Sequence, residues 1–361
     1  MDRDSVLKAL QKIKDPLTGN DIVSAGLIEQ LDISDNQVNI ILALSSMNIQ
    51  NKSELNFACI SHIQDEYPMA VVNVHVKSKL PDAQQSNNPL PNIKNIIAVG
   101  SGKGGVGKST VAVNLALGLK ALGAKVGLLD ADLYGPSMPT MLGLRGKRPE
   151  VQDVYGQPKI IPLQAYGMPV ISIGFLVEPE QAVVLRGPRL AGIIKQFFMD
   201  CIWPELDYLI VDLPPGTGDV QLTLVQTVPV TGAVLVTTPQ EVALADAIKA
   251  MNMFKMSNVN VPILGVVENM SWFTPAELPQ NKYYIFGQGG GQKLAQEAET
   301  ILLGQVPLVQ SIRESGDNGN PSVMQNDVIA ENYKEIASKT IAQVKYRNEH
   351  MAPTSRINIS N

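Results

Sequence analysis

Residues Gly102-Lys103-Gly104-Gly105-Val106-Gly107-Lys108-Ser109 set two glycines five apart, Gly102 and Gly107, ahead of a lysine and a hydroxyl. That is the spacing of a phosphate loop. Backbone N–H groups in such a loop converge on phosphate oxygens at the start of a helix. Side chains would block that approach, so glycine fills four of its positions. The Lys108 ammonium is expected to reach the β- and γ-phosphates and the Ser109 hydroxyl to hold Mg²⁺, with Thr110 next in the cradle. Lys103 is extra: cradling phosphate does not require a lysine directly after the first glycine.

Three acids follow at strand ends. Asp212 closes the apolar run Tyr208–Val211 and precedes Leu213-Pro214-Pro215-Gly216-Thr217-Gly218-Asp219. A carboxylate there sits on the ligand-binding edge of an open α/β sheet, and in a phosphate-loop protein it orients the Mg²⁺ shell through water. The glycines after it let the loop move with the phosphate state. Asp130 and Asp132, in LLDADLYGPSMP, also end a strand. They either point at one ligand across the turn or are solvated acids of that turn.

The elements that must position these residues are legible around them. Ile96–Val99 is a β-branched apolar run and reads as a buried strand; residues 109–122 carry apolar side chains at helical spacing. Further strands are expected at 125–130, 208–212, 233–237, 263–268 and 305–308. Helices are expected at 188–200, 243–256, 292–300 and 330–344. Strands alternating with helices indicate a mostly parallel sheet covered on both faces. Before it, residues 1–79 read as a small α/β domain with helices at 6–13 and 55–64 and strands at 22–27, 38–44 and 70–76. Residues 80–94, rich in Pro, Asn and Gln, read as a linker. The large domain spans 95–346, and 347–361 is a polar, loose tail.

The 361 residues carry a net charge of −5, with 45% hydrophobic and 17% charged residues. This is globular composition, and the acidic balance argues against a broad nucleic-acid-binding face. No apolar run reaches membrane-spanning length and no signal core opens the chain, so a soluble cytoplasmic protein without membrane partners is expected. Cys59 and Cys201 stand far apart, which speaks against a disulfide framework.

The loop GSGKGGVGKST resembles the deviant phosphate loop of the MinD/ParA-like ATPases. With LLDADLYGPSMP, LRGP, YLIVDLPPGTGD, VTTPQEVALADAIKA, GVVENMSWF and FGQGGGQKLA in that order, residues 95–322 resemble the Mrp/ApbC family of iron–sulfur cluster carriers. The N-terminal segment resembles the small iron–sulfur assembly domain that often precedes them. The resemblance implies an ATP-hydrolysing homodimer that carries a cluster to apo client proteins; with so few cysteines in this chain, a separate cluster scaffold is the other partner expected. It implies that Lys103 crosses to the partner's nucleotide, that Asp132 positions the attacking water and that Asp130 supports the Mg²⁺ region. It also implies that Asn269 contacts adenine and that the backbone around Pro307 lines the same pocket.

One departure bears on the cluster. The family's Cys-x-x-Cys falls where this chain reads Trp272-Phe273-Thr274-Pro275-Ala276-Glu277-Leu278-Pro279. Glu277 is an oxygen donor, a poor substitute for thiolate. Trp272 and Phe273 are either interface residues or packed under a neighbouring loop. Gly289-Gly290-Gly291 is a second anion turn or a site of close packing. Neither Arg186 nor Arg189 has an assignable role. The rival reading is a nucleotide-gated scaffold for DNA or membrane partners, disfavoured by the lack of a basic amphipathic tail or basic cluster.

Overall fold

The computed structural model describes residues 1–14, 20–34, 36–44, 49–78, 90–132, 135–154, 157–176, 187–257, 259–275, 277–278, 280–325 and 327–354. It divides into two compact units, Met1–Ser86 and Asn87–Asn361.

In the first unit, α1 (Arg3–Leu10) precedes β1 (Ile28–Ser34) and β2 (Gln37–Leu44), which pair antiparallel. Helix α2 (Ile49–Glu66) then crosses over to β3 (Val71–Ser78), parallel to β2. The strand expected at 22–27 is instead a turn. Asp21 Oδ1 accepts from the N–H groups of Val23 and Ser24, and Gly26 has φ +63°, so the backbone bends there. Ile22 and Leu27 still reach the core, which explains their apolar character. The Asp15-Pro16 stop, the Thr18-Gly19 part of the turn and most of the expected linker fall outside the described residues.

The second unit holds β4 (Ile93–Gly100), β5 (Val126–Asp130), β6 (Glu150–Val154), β7 (Gln157–Ile161), β8 (Leu163–Ala165), β9 (Met168–Ser172), β10 (Leu206–Asp212), β11 (Gly232–Thr237), β12 (Ile263–Phe273) and β13 (Leu302–Leu308). Eight of these form one sheet in the order β13-β12-β11-β4-β10-β5-β9-β8. Every neighbouring pair is parallel except β8–β9. Alternate residues of β4 serve opposite faces. Ile96 and Ala98 pack with Phe197 and Phe198 of α5 (Gly187–Met199), Leu224 of α6 (Asp219–Thr227) and Phe254 of α7 (Glu241–Lys255). Ile97 and Val99 lie in the same core as Leu115 of α3 (Lys108–Ala121), Met138 of the short α4 (Met138–Met141), and Tyr333 and Ile336 of the last helix, Val328–His350.

Several elements depart from expectation. In the β6–β7 hairpin β6 is mostly exposed and only the end of β7, Lys159–Ile161, is half-buried, so no apolar period marked it. Helix α6 follows a Pro/Gly loop that reads as a turn. The last helix continues past the expected end at Val344 to His350. Arg347, 7% exposed, donates to Ala352 O and Thr354 Oγ1, so the chain is tied down through Thr354 instead of loosening at Tyr346.

Candidate nucleotide site

Strand β4 is central and its neighbours β10 and β11 connect away on either side, so its carboxyl end is the place where an open α/β sheet leaves a crevice. The phosphate loop leaves β4 at this point. Its glycines are needed where the chain packs. A Cβ on Gly102 would lie 2.0 Å from the Asp246 backbone of α7. Gly107 caps α3 with φ +79°, and a Cβ there would lie 2.1 Å from Asn269 Nδ2.

Above the loop lies a cavity of about 380 Å³, lined among others by Lys103, Gly104, Gly105, Gly107, Lys108, Ser109, Thr110, Asp132 and Pro215. That volume suits a small-molecule ligand. Gly102 and Val106 belong to the loop but not to the lining; Val106 turns its side chain into the core.

The charges converge on Lys108, which is 6% exposed. Its Nζ lies 2.5 Å from Asp212 Oδ1, 3.4 Å from Asp132 Oδ2 and 3.3 Å from Ser109 Oγ. The parallel register sets Asp130 opposite Asp212, side by side beneath the cavity. Both are fully buried. Burial, then the neighbouring Asp212 charge, pushes the Asp130 carboxyl up to about 8. Ser172 Oγ and the Asp132 N–H each donate to one of its oxygens, 2.7 and 3.0 Å away. Asp130 therefore props the Asp132 turn from below. Burial also raises Asp212, against the lowering effect of Lys108. Among the described residues, Asp212 Oδ2 has no partner within hydrogen-bond geometry, although the nearby Ser109 hydroxyl helps to lower the Asp212 carboxyl. A buried carboxylate oxygen left free beside the Ser109 hydroxyl fits the water shell of a hard cation.

Sequence reasoning missed the groups that hold this geometry. Gln221 Nε2 donates to Pro214 O and Gly216 O, and the Gly216 N–H to Ser101 O, so the loop after Asp212 is pinned to the phosphate loop. Only a helix assignment at 219–227 would have aimed Gln221 there. Asn269 Nδ2 donates to Val106 O at 2.8 Å and clamps the phosphate loop; neither Asn269 nor Pro307 lines the cavity. Glu268, 1% exposed, accepts from the Gly291 N–H and from Gln305 Nε2, both at 2.6 Å. It read as a strand end, yet it fixes the corner from which Asn269 projects. Gly290 and Gly291 lie where a Cβ would meet Pro239 and Glu268, so these two serve close packing, while Gly289 meets nothing and supplies the left-handed turn (φ +78°) before the next helix.

Glu268→Ala leaves two donors without an acceptor, at about 1–3 kcal/mol for each. A lower urea midpoint is expected, partly restored by Glu268→Gln, whose amide oxygen still accepts from Gly291 while its NH₂ cannot accept from Gln305. An alanine variant with the wild-type midpoint would contradict this role.

Other singled-out residues lie elsewhere. Trp272 and Phe273 are half-buried at the end of β12. Phe273 bridges Tyr283, and Lys282 Nζ lies 4.0 Å over the Trp272 ring. Glu277 is exposed. Arg186 falls outside the described residues and Arg189 stands in α5. Among the described residues, no helix is long and apolar enough to cross a membrane.

A mostly parallel sheet with a glycine loop on its central strand, a buried lysine and two strand-end acids defines a phosphate-loop NTPase fold. Residues 92–341 match the family described as NUBPL iron-transfer P-loop NTPase, and residues 3–76 match that described as iron–sulfur cluster assembly protein. The chain belongs to this family of iron-transfer P-loop NTPases. It is 46% identical, over 89% of its length and 91% of the relative's, to an iron–sulfur cluster carrier protein of Synechocystis sp.. Its fold is similar to that of a nucleotide-binding protein from Archaeoglobus fulgidus in complex with ADP (TM-score 0.57, 38% identity, 66% of this chain and 92% of that one). The cell-division ATPase MinD of Pyrococcus furiosus shares the fold (TM-score 0.51, 24% identity, 69% of this chain and 99% of that one).

Proposed function

We infer that this protein is an ATP-hydrolysing iron–sulfur cluster carrier that delivers clusters to apoproteins. The observation that carries the hydrolytic part is the convergence of Lys108 and Asp132, which line a cavity walled by the phosphate loop, with Asp212 buried beneath them. The cluster part is supported by family membership and by the names of its relatives.

The mechanism follows from these side chains. Lys108 turns from its carboxylates toward the β- and γ-phosphate oxygens and offsets charge that develops there. Loop N–H groups cradle the phosphates. Asp132 accepts a hydrogen bond from the attacking water and aims it at phosphorus. Ser109, and Asp212 through water, would hold Mg²⁺, which would supply positive charge against the phosphates. Asp130 supports that region from below. Asn269 and the backbone at Pro307 are proposed for the adenine. Phosphate release from ATP with and without EDTA tests the Mg²⁺ requirement: turnover lost on chelation is expected, and undiminished turnover would remove Ser109 and Asp212 from this role.

The working unit is proposed to be a homodimer closed by nucleotide. Lys103 lines the cavity, half-buried, and among the described residues it makes no ion pair. Such a cation is available to a second copy's phosphates. In sedimentation with a non-hydrolysable ATP analogue, the wild type is expected to dimerise and Lys103→Ala to remain monomeric. Identical behaviour of the two proteins would refute this. The cytoplasm is the compartment such a carrier needs, since it supplies ATP and keeps thiols such as Cys59 and Cys201 reduced.

A further inference from the structure

Iron–sulfur clusters of the [2Fe–2S] and [4Fe–4S] types take four thiolates. The whole chain has two cysteines. Cys59 lies on α2, fully buried in the core of the N-terminal unit with Leu55 and Ile63. Cys201 is 8% exposed and belongs to the core of the other unit with Phe197, Phe198 and Trp203. Burial pushes both thiols up to about 12, away from the thiolate form. Two copies would bring four sulfurs, but each would have to leave a packed core to reach a shared cluster. Among the described residues, no group of three or more His, Cys, Asp or Glu side chains is placed to hold a metal ion. The segment after Asn269, joined by the Phe273–Tyr283 bridge, presents Tyr283, Tyr284 and Ile285 to solvent and carries no thiol.

We propose that a cluster handled by this protein is held by the thiolates of a partner, a cysteine-bearing scaffold or client protein, and not by side chains of this chain. The proposal rests on the cluster-carrier reading and names the partner's chemistry. Transfer is then a ligand exchange. Each client thiol gives its proton to solvent and bonds an iron as one scaffold thiolate leaves and takes up a proton; no electron changes hands. This chain contributes nucleotide-dependent binding of the two proteins.

The test uses the full chain in two arms. In the first, the protein is incubated anaerobically with ferrous iron, sulfide and dithiothreitol, desalted, and assayed for iron and sulfide. The wild type and the double variant Cys59→Ser, Cys201→Ser are expected to retain equally little, far below one cluster per dimer. A stoichiometric cluster on the wild type overturns the proposal, whether the variant loses it or keeps it. In the second arm, a cluster-loaded cysteine scaffold and an apo-ferredoxin acceptor are mixed with the chain and Mg-ATP. Wild type and double variant are expected to speed transfer equally. Acceleration by the wild type alone overturns the proposal. No acceleration by either form, with the first arm as expected, removes the carrier reading and with it the partner's role.

Discussion

Lys108→Ala is expected to lower ATP turnover by about 10²–10³-fold, the effect of deleting one preorganised donor to developing charge. The expectation follows from Lys108 being 6% exposed and within 3.4 Å of both Asp132 and Asp212. Few other cations can take its place in that space. The variant also leaves Asp212 buried without its counter-charge, and breaking such a pair costs about 3–5 kcal/mol of stability. A thermal melt must therefore accompany the assay, and turnover is read below the variant's transition. Turnover at the wild-type rate would end the assignment of Lys108.

The second large effect is expected at Gly102. An added Cβ would lie 2.0 Å from the Asp246 carbonyl carbon and 2.2 Å from its oxygen. Backbone of a packed helix cannot step aside as a flexible side chain can. Overpacking of this kind costs about 1–3 kcal/mol or more. The strain falls on the first residue of the phosphate loop, so nucleotide affinity should fall with stability. Gly105→Ala is the control. Gly105 has φ +82° but nothing within 4 Å of an added Cβ, so only backbone strain of about 1–2 kcal/mol applies. Calorimetric titration with ADP and thermal melts should rank Gly102→Ala below Gly105→Ala. The reverse order would show that the loop does not pack on α7 as described.

The site's chemistry was legible where chemistry demands particular residue types at fixed spacing. Gly102 to Ser109, Asp130, Asp132 and Asp212 all lie at carboxyl ends of neighbouring strands, because apolar β-branched runs mark buried strands and each acid stands at a run's end. What could not be read depends on contacts between distant segments. Glu268 meets Gly291 and Gln305, and Gln221 meets the loop after Asp212, through tertiary placement that no local period encodes. Short polar strands failed for a different reason. In β6 nearly every side chain faces solvent, and in β7 burial sets in only at Lys159–Ile161, so no alternation sets them apart from loop. The turn at Asp21–Gly26 looks like a strand because Ile22 and Leu27 are apolar for the sake of the core, while the Val23 and Ser24 N–H groups donating to the Asp21 carboxylate decide the backbone path.

The most direct test of the nucleotide site is calorimetric titration of the full chain with a non-hydrolysable ATP analogue and Mg²⁺, beside Lys108→Ala. The geometry predicts one saturable site per chain in the wild type and a large loss of affinity in the variant. Absence of saturable binding to the wild type, or equal affinity in the two proteins, would contradict it.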